Sequence, residues 1–130
     1  MIATMIEQSK HLLELGLDPK TADMVWMCNK WLYSIKDNIL NREQFSEQDT
    51  LAWSLSALLE VVPSIIGDYD LYITKHKYVD GGHGYNVEYN RGITISVLHK
   101  ETNRDLVTAS YKMVCWLLEQ GLIKKGGNNE

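Results

Sequence analysis

Apolar residues recur at helical spacing toward both ends of the chain and at strand spacing between them. Ile2, Met5, Ile6, Leu12 and Leu13, with Ser9 among them, follow the i, i+3, i+4, i+7 pattern, which predicts a helix over 2–15 with one buried stripe. Gly16 stands where a helix takes a left-handed C′ residue, so that Leu17 folds back onto the last turn. LLELGL at 12–17 returns as LLEQGL at 117–122, the same helix-stop chemistry used twice rather than an internal repeat. Asp18 and Pro19 then form an N-cap and a first helical residue. Met24, Met27, Cys28, Trp31, Leu32, Ile35 and Ile39 keep helical spacing and predict a second helix to about residue 40. Within it, MVWMCNKWLY is also compatible with a short strand.

NREQFSEQDT at 41–50 is polar and reads as a loop. WSLSALLEVVP reads as a short helix capped by Ser54 and stopped before Pro63, and Gly67 with Asp68 marks a turn. From 71 to 99 the period becomes two. Leu71, Ile73 and Val79 fall on one face of the first strand, and Tyr72, His76 and Tyr78 on the other. Tyr85, Val87 and Tyr89 alternate in the second strand, and Ile93, Ile95 and Val97 form the cleanest strand of the chain. DGGHG and NRG are the connecting turns of a three-stranded antiparallel meander. Thr102 followed by Asp105 resembles a capping box. The helix it opens is apolar on two sides, through Leu106, Ala109, Met113, Trp116 and Leu117 and through Val107, Tyr111, Val114 and Leu118. Such a helix packs on the sheet and meets the first helix or a second chain. The predicted fold class is α+β: N-terminal helices, the meander, and a C-terminal helix packed on it.

The stretch HKYVDGGHGYNVEYNRG looks most like a site. A phosphate-binding loop places its glycines between a strand and a helix, with Lys-Ser or Lys-Thr at the end. Here Gly81, Gly82 and Gly84 lie between two strands and no such pair follows. They are explained by the positive φ angles of a tight turn. His11, His76, His83 and His99 lack the paired spacing of zinc ligands. No G-x-S-x-G elbow is present. The sequence therefore assigns no catalytic residue, no metal and no cofactor.

Composition narrows the classes further. At 130 residues and 14.9 kDa, one domain over 1–123 buries roughly 65% of its unfolded surface. The tail KKGGNNE at 124–130 is expected to be disordered. A net charge of −4 argues against a duplex nucleic-acid footprint. The start of the chain lacks the run of a signal peptide, and WSLSALLEVVPSII is broken by Glu60 and Pro63 before it reaches membrane-spanning length. Cys28 and Cys115, each in an apolar helical pattern, are expected as buried reduced thiols in a cytoplasm.

Four Trp and seven Tyr against one Phe favour edges and interfaces. Residues 71–100 hold Lys75, Lys77, Arg91 and Lys100 against Asp80 and Glu88. Aromatic faces stack bases while Lys and Arg neutralise phosphate. Tyr72, Lys75, His76, Lys77, Tyr78 and Arg91 are therefore the candidate binding site for a small anionic, nucleotide-like ligand.

LLELGLDPKTADMVW, AWSLSALLEVVPSI and MVCWLLEQGLI together resemble a family of short proteins of phages and mobile elements of Bacteroides-like gut bacteria. The resemblance covers roughly 40% of the chain and implies a small accessory protein in the cytoplasm of a bacterial host, without implying a reaction. The function expected from the sequence is a non-enzymatic binding protein that sequesters such a ligand, working as a homo-oligomer, most simply a dimer. The second reading is a module that inhibits or adapts a host protein through Trp26, Trp31 or Trp53. The third is a hydrolase whose side chains converge without a spacing signature.

Overall fold

A computed structural model describes residues 2–35, 45–92 and 96–126. The chain is an α+β protein with three helices and two antiparallel sheets. Helix α1 spans Ile6–Glu14, four residues shorter at its start than the apolar spacing predicts. The missing turn is extended chain: Ala3 bridges Ser54, and the Thr4 N–H donates to the Trp53 carbonyl at 2.9 Å. Pairing with a neighbouring strand satisfies those amides better than an exposed helical turn, and Ile2 is left 72% exposed.

The helix stops match the sequence reading. Gly16 takes φ +100° and Gly121 φ +70°. At both ends the glycine and the following leucine donate back into the last turn, Leu17 to Leu12 at 3.0 Å and Leu122 to Leu117 at 2.9 Å. This is the Schellman motif at both repeats of the string.

The predicted second helix is replaced by a hairpin. Asp18 does cap Pro19–Thr21, but as a single 3-10 turn. Strand β1 then spans Met24–Met27 and β2 spans Trp31–Ser34. Cys28 and Asn29 turn the chain with φ of 54° and 53°, a left-handed pair that no helix accommodates. The aromatic and branched residues on either side suit a sheet. Strand β3, Thr50–Ala52, pairs with the other side of β1 to give the order β2-β1-β3. Ile39 and residues 41–44 of the predicted loop lie outside the described residues.

Helix α2, Leu55–Val61, is capped by the Ser54 hydroxyl, which accepts from the Ala57 N–H. The second sheet has four strands, one more than the meander: β4 Ile65–Ile66, β5 Tyr69–Lys77, β6 His83–Asn90 and β7 Val97–Asn103, in the order β4-β5-β6-β7. Ile93, Thr94 and Ile95 lie outside the described residues. Thr102 sits inside β7 rather than capping a helix, and its hydroxyl donates across to Asn86 at 2.8 Å. Asp105 is the N-cap of α3, Leu106–Glu119, and accepts from the Thr108 N–H.

Helix α3 packs on β6 and β7 and touches α2 and α1. The core it closes holds Leu12, Trp53, Leu58, Val87, Tyr89, Met113 and Leu117, each without exposure. Truncating a buried aromatic such as Trp53 costs about 3–5 kcal/mol in comparable cores. Lys124–Gly126, expected in a disordered tail, instead lie along residues 16–18, where the Gly126 N–H donates to the Gly16 carbonyl at 2.9 Å.

Candidate functional site

Strand alternation decides where the six candidate residues go. Lys75 stands opposite Tyr85, Ile73 opposite Val87 and Leu71 opposite Tyr89. Val87 and Tyr89 are buried under α3, so Lys75 and Lys77 share the helix-covered side of the sheet, near its open end. Tyr72 and His76 share the other face, on which no described element packs. The Lys75 ammonium lies 5.9 Å from the centroid of the Tyr85 ring. Arg91 is at the far end of the sheet, eight residues along from the level of Lys77, about 26 Å at strand rise. There it sits 4.9 Å over the Tyr69 ring and 4.0 Å from the Asp68 carboxylate. The six residues therefore form three separate groups rather than one site.

Tyr78 and His76 belong to the hairpin tip between β5 and β6. Only Gly81 of its three glycines has positive φ, at 94°, which corrects the expectation that all three supply that geometry. Gly84 makes room for the Tyr78 ring, which an added Cβ would strike, whereas at Gly82 an added Cβ meets only the exposed, movable Arg104 guanidinium. Arg104 also stands 4.2 Å over the Tyr78 ring and donates to Asp80 at 2.7 Å. Asp80 accepts from the Gly82 N–H as well, and the two donors hold its carboxyl below the usual carboxylate range. His76 packs edge-on against Tyr78 at 4.8 Å. The loop is a braced turn in which Asp80, Gly82 and Arg104 are committed to one another, while the buried Nδ1 of His76 finds no hydrogen-bond partner among the described residues.

Other clusters offer little chemistry. A depression of about 410 Å³ is lined by Thr21, Asp23, Ser56, Ala57, Glu60 and Val61. Its Asp23 carboxylate is engaged by the Ser54 N–H at 2.8 Å and by the Ser54 hydroxyl. His99 stacks on Trp116 with centroids 4.1 Å apart and pairs with Glu101 at 2.6 Å. Burial pushes the nearby Cys115 thiol up to about 11, so it stays protonated and a poor nucleophile. Cys28, expected to be buried, is exposed in the β1–β2 turn. Among the described residues no three His, Cys, Asp or Glu side chains gather as metal ligands, and no helix is long and apolar enough to cross a membrane.

The four tryptophans separate clearly. Trp53 is fully buried. Trp26 is partly covered, its indole N–H donating to the Thr4 carbonyl at 2.9 Å. Trp116 is held by His99. Trp31 alone is open, at 63% exposure, and Tyr33 beside it on β2 is 53% exposed. Both lie on the same face of β2, whose only sheet neighbour among the described residues is β1. Tyr33 was not visible as a site residue while 24–34 read as a helix. The signal was the Trp-x-Tyr alternation after the Cys-Asn turn.

The edges of the two sheets differ in charge. Beyond β4, the open edge of β5 carries Lys75 and Lys77, and β7 carries Lys100 and Glu101. Charged residues of this kind discourage strand addition. Just past the end of β3, Trp53 and Ser54 pair with Thr4 and Ala3. Strand β2, WLYS, has no charge at all. No protein-family model, curated protein or solved structure matches the chain.

Proposed function

We propose that the protein is a non-enzymatic binding module that takes an extended segment of a protein partner along the β2 edge. The observation that carries this reading is the pair Trp31 and Tyr33, two large exposed aromatics on an uncharged, open strand. Strand addition gains affinity from main-chain hydrogen bonds and specificity from alternate side chains, and Trp and Tyr are the residues most often dominant at interfaces. In the setting that the phage-like resemblance implies, the partner is a protein of the host cell or another copy of the chain. Replacing Trp31 with a photo-crosslinking phenylalanine analogue in producing cells tests the reading, with exposed Ile65 as the control position. Crosslinked protein at 31 and none at 65 supports it; no product at 31 overturns it.

A small anionic ligand is the second reading, now centred on Lys75 and Lys77, two positions apart on one face beside Tyr85. It expects calorimetric binding of a nucleoside triphosphate that Lys75→Ala with Lys77→Ala weakens at least about tenfold. Arg91→Ala, at the other end of the sheet, leaves that binding unchanged. Absence of binding to the unaltered protein overturns this reading.

A further inference from the structure

The hydrogen-bond phase of the β1–β2 hairpin identifies which groups of β2 face outward. The Ile35 N–H donates to the Asp23 carbonyl at 2.9 Å, so Ile35 and Asp23 form a hydrogen-bonded pair of the antiparallel ladder. Such pairs alternate with non-bonded ones. With the register Val25 to Tyr33 and Met27 to Trp31, Tyr33 and Trp31 also turn their main-chain groups toward β1. Leu32 and Ser34 turn theirs outward, where no described residue pairs with them.

This pattern is self-complementary. A second β2 strand laid antiparallel about a two-fold axis at Leu32 exchanges both hydrogen bonds between the two Leu32 residues. The same register puts Trp31 opposite Tyr33 of the second copy, and Tyr33 opposite its Trp31. These are non-hydrogen-bonded positions, where α-carbons approach to about 4.5 Å and side chains lie closest. Both rings are already on one face of the strand and exposed, so the pair forms an aromatic ladder across the two-fold. Lys30 falls opposite Ser34, so no like charges are opposed.

We infer that the partner of the β2 edge is a second copy of this chain, joined through an antiparallel β2–β2 pair centred on Leu32 into one continuous six-stranded sheet. The inference rests on the edge-binding reading above and names its partner. Aromatic side chains expose about 150–250 Å² each when free. At 63% and 53% exposure, the four rings supply on the order of 500 Å². With the strand backbones, Leu32 and Ser34, the total stays near the lower limit of about 1,000–1,200 Å² for specific interfaces. The dimer is therefore a weak, concentration-dependent one.

The test is sedimentation of the full chain from about ten micromolar to about one millimolar, together with amide hydrogen exchange at both ends of that range. The mass is expected to rise from 14.9 kDa toward twice that value. Exchange at the Leu32 and Ser34 amides slows with concentration, while that at Trp31 and Tyr33 does not change. Trp31→Lys and Tyr33→Glu each weaken the dimer at least about tenfold. An equimolar mixture of the two variants recovers it, since one introduced lysine then faces one introduced glutamate while Tyr33 faces Trp31 across the axis. Circular dichroism verifies that both variants fold; if either does not, the exchange pattern of the unaltered chain decides alone. A chain that stays monomeric to the top of the range overturns the inference, and so does a dimer that leaves Leu32 exchange unchanged. If the chain is monomeric yet position 31 crosslinks a different protein, the second-copy inference falls and the edge reading stands. If position 31 crosslinks nothing, the edge reading itself has failed.

Discussion

The hydroxyl of Tyr89 donates to the carbonyl of Pro63 over 2.6 Å, tying the middle of the four-stranded sheet to the segment that leaves α2. Tyr89 is fully buried, so the bond forms where water cannot replace it, and burial raises the phenol well above its ordinary pKa. Tyr89→Phe keeps the ring and leaves the Pro63 carbonyl unpaired. The expected cost is about 1–2 kcal/mol, seen as a lower urea midpoint with an unchanged slope. A change below a few tenths would mean that water reaches this carbonyl.

Gly84 and Tyr78 form a second pair whose coupling is measurable. A methyl group on Gly84 collides with the Tyr78 ring, so Gly84→Ala should destabilise by about 1–3 kcal/mol. In a Tyr78→Ala background the added methyl has room, and most of that cost should vanish. A double-mutant cycle reads the difference directly. Simple additivity would show that the ring does not hold this position in solution.

Ser110 is fully buried in α3, and its hydroxyl has no hydrogen-bond partner among the described residues. An orphaned buried hydroxyl costs about 1–3 kcal/mol, and alanine is also the better helix former. Ser110→Ala should therefore raise the melting temperature, by roughly 3–5 °C per kcal/mol recovered in a domain of this size. A fall would place an ordered water against the hydroxyl.

The architecture was legible where one residue pattern admits one structure. The two leucine-glycine stops, the Ser54 cap, and the alternation of Leu71, Ile73, Val87 and Tyr89 each dictate local geometry. The misreadings arose where two periods coincide. Met24, Met27, Cys28 and Trp31 fit a helix as well as two short strands, and what decided between them was a left-handed Cys28-Asn29 turn that cysteine does not announce. The candidate site was legible only as parity along β5. The separation of Arg91 from Lys77, and the use of Tyr78 and Arg104 as braces over glycines, depend on pairing register and on a residue from the loop after β7. Spacing carries neither.

Alkaline pH should destabilise the protein through buried Cys115 and Tyr89 and partly buried Tyr111. Burial raises Cys115 from 9.0 to about 11 and Tyr111 from 10.0 to about 12, with Tyr89 higher still. The unfolded chain therefore loses these protons first and holds fewer of them, so stability falls as pH rises. The contribution is intact below about pH 9 and is lost progressively toward 11 and 12. Melting temperature is expected to be flat from neutrality to about 9 and then to fall, with Tyr111→Phe reducing the slope. The same burial predicts one thiol per native chain reactive toward a disulfide reagent, Cys28, and two after denaturation.

Thr4 joins the extended N-terminal segment to Trp53 and Trp26 through a closed set of bonds. Its hydroxyl bonds Ser9 at 2.7 Å and accepts from the Trp53 N–H at 3.1 Å, while Ser9 passes its own proton to the Met5 carbonyl at 2.7 Å. The Thr4 carbonyl accepts from the Trp26 indole at 2.9 Å. Thr4 and Ser9 are both fully buried. Thr4→Val has the same shape but leaves the buried Trp53 amide and the Ser9 hydroxyl short of partners, at a cost of about 1–3 kcal/mol. Thr4→Ser keeps the hydroxyl and loses only a methyl, worth about 1 kcal/mol. Valine should therefore be the more damaging of the two, against the order that apolar burial alone predicts. The comparison of their denaturation midpoints decides whether polar closure or packing holds the extended N-terminal segment in place.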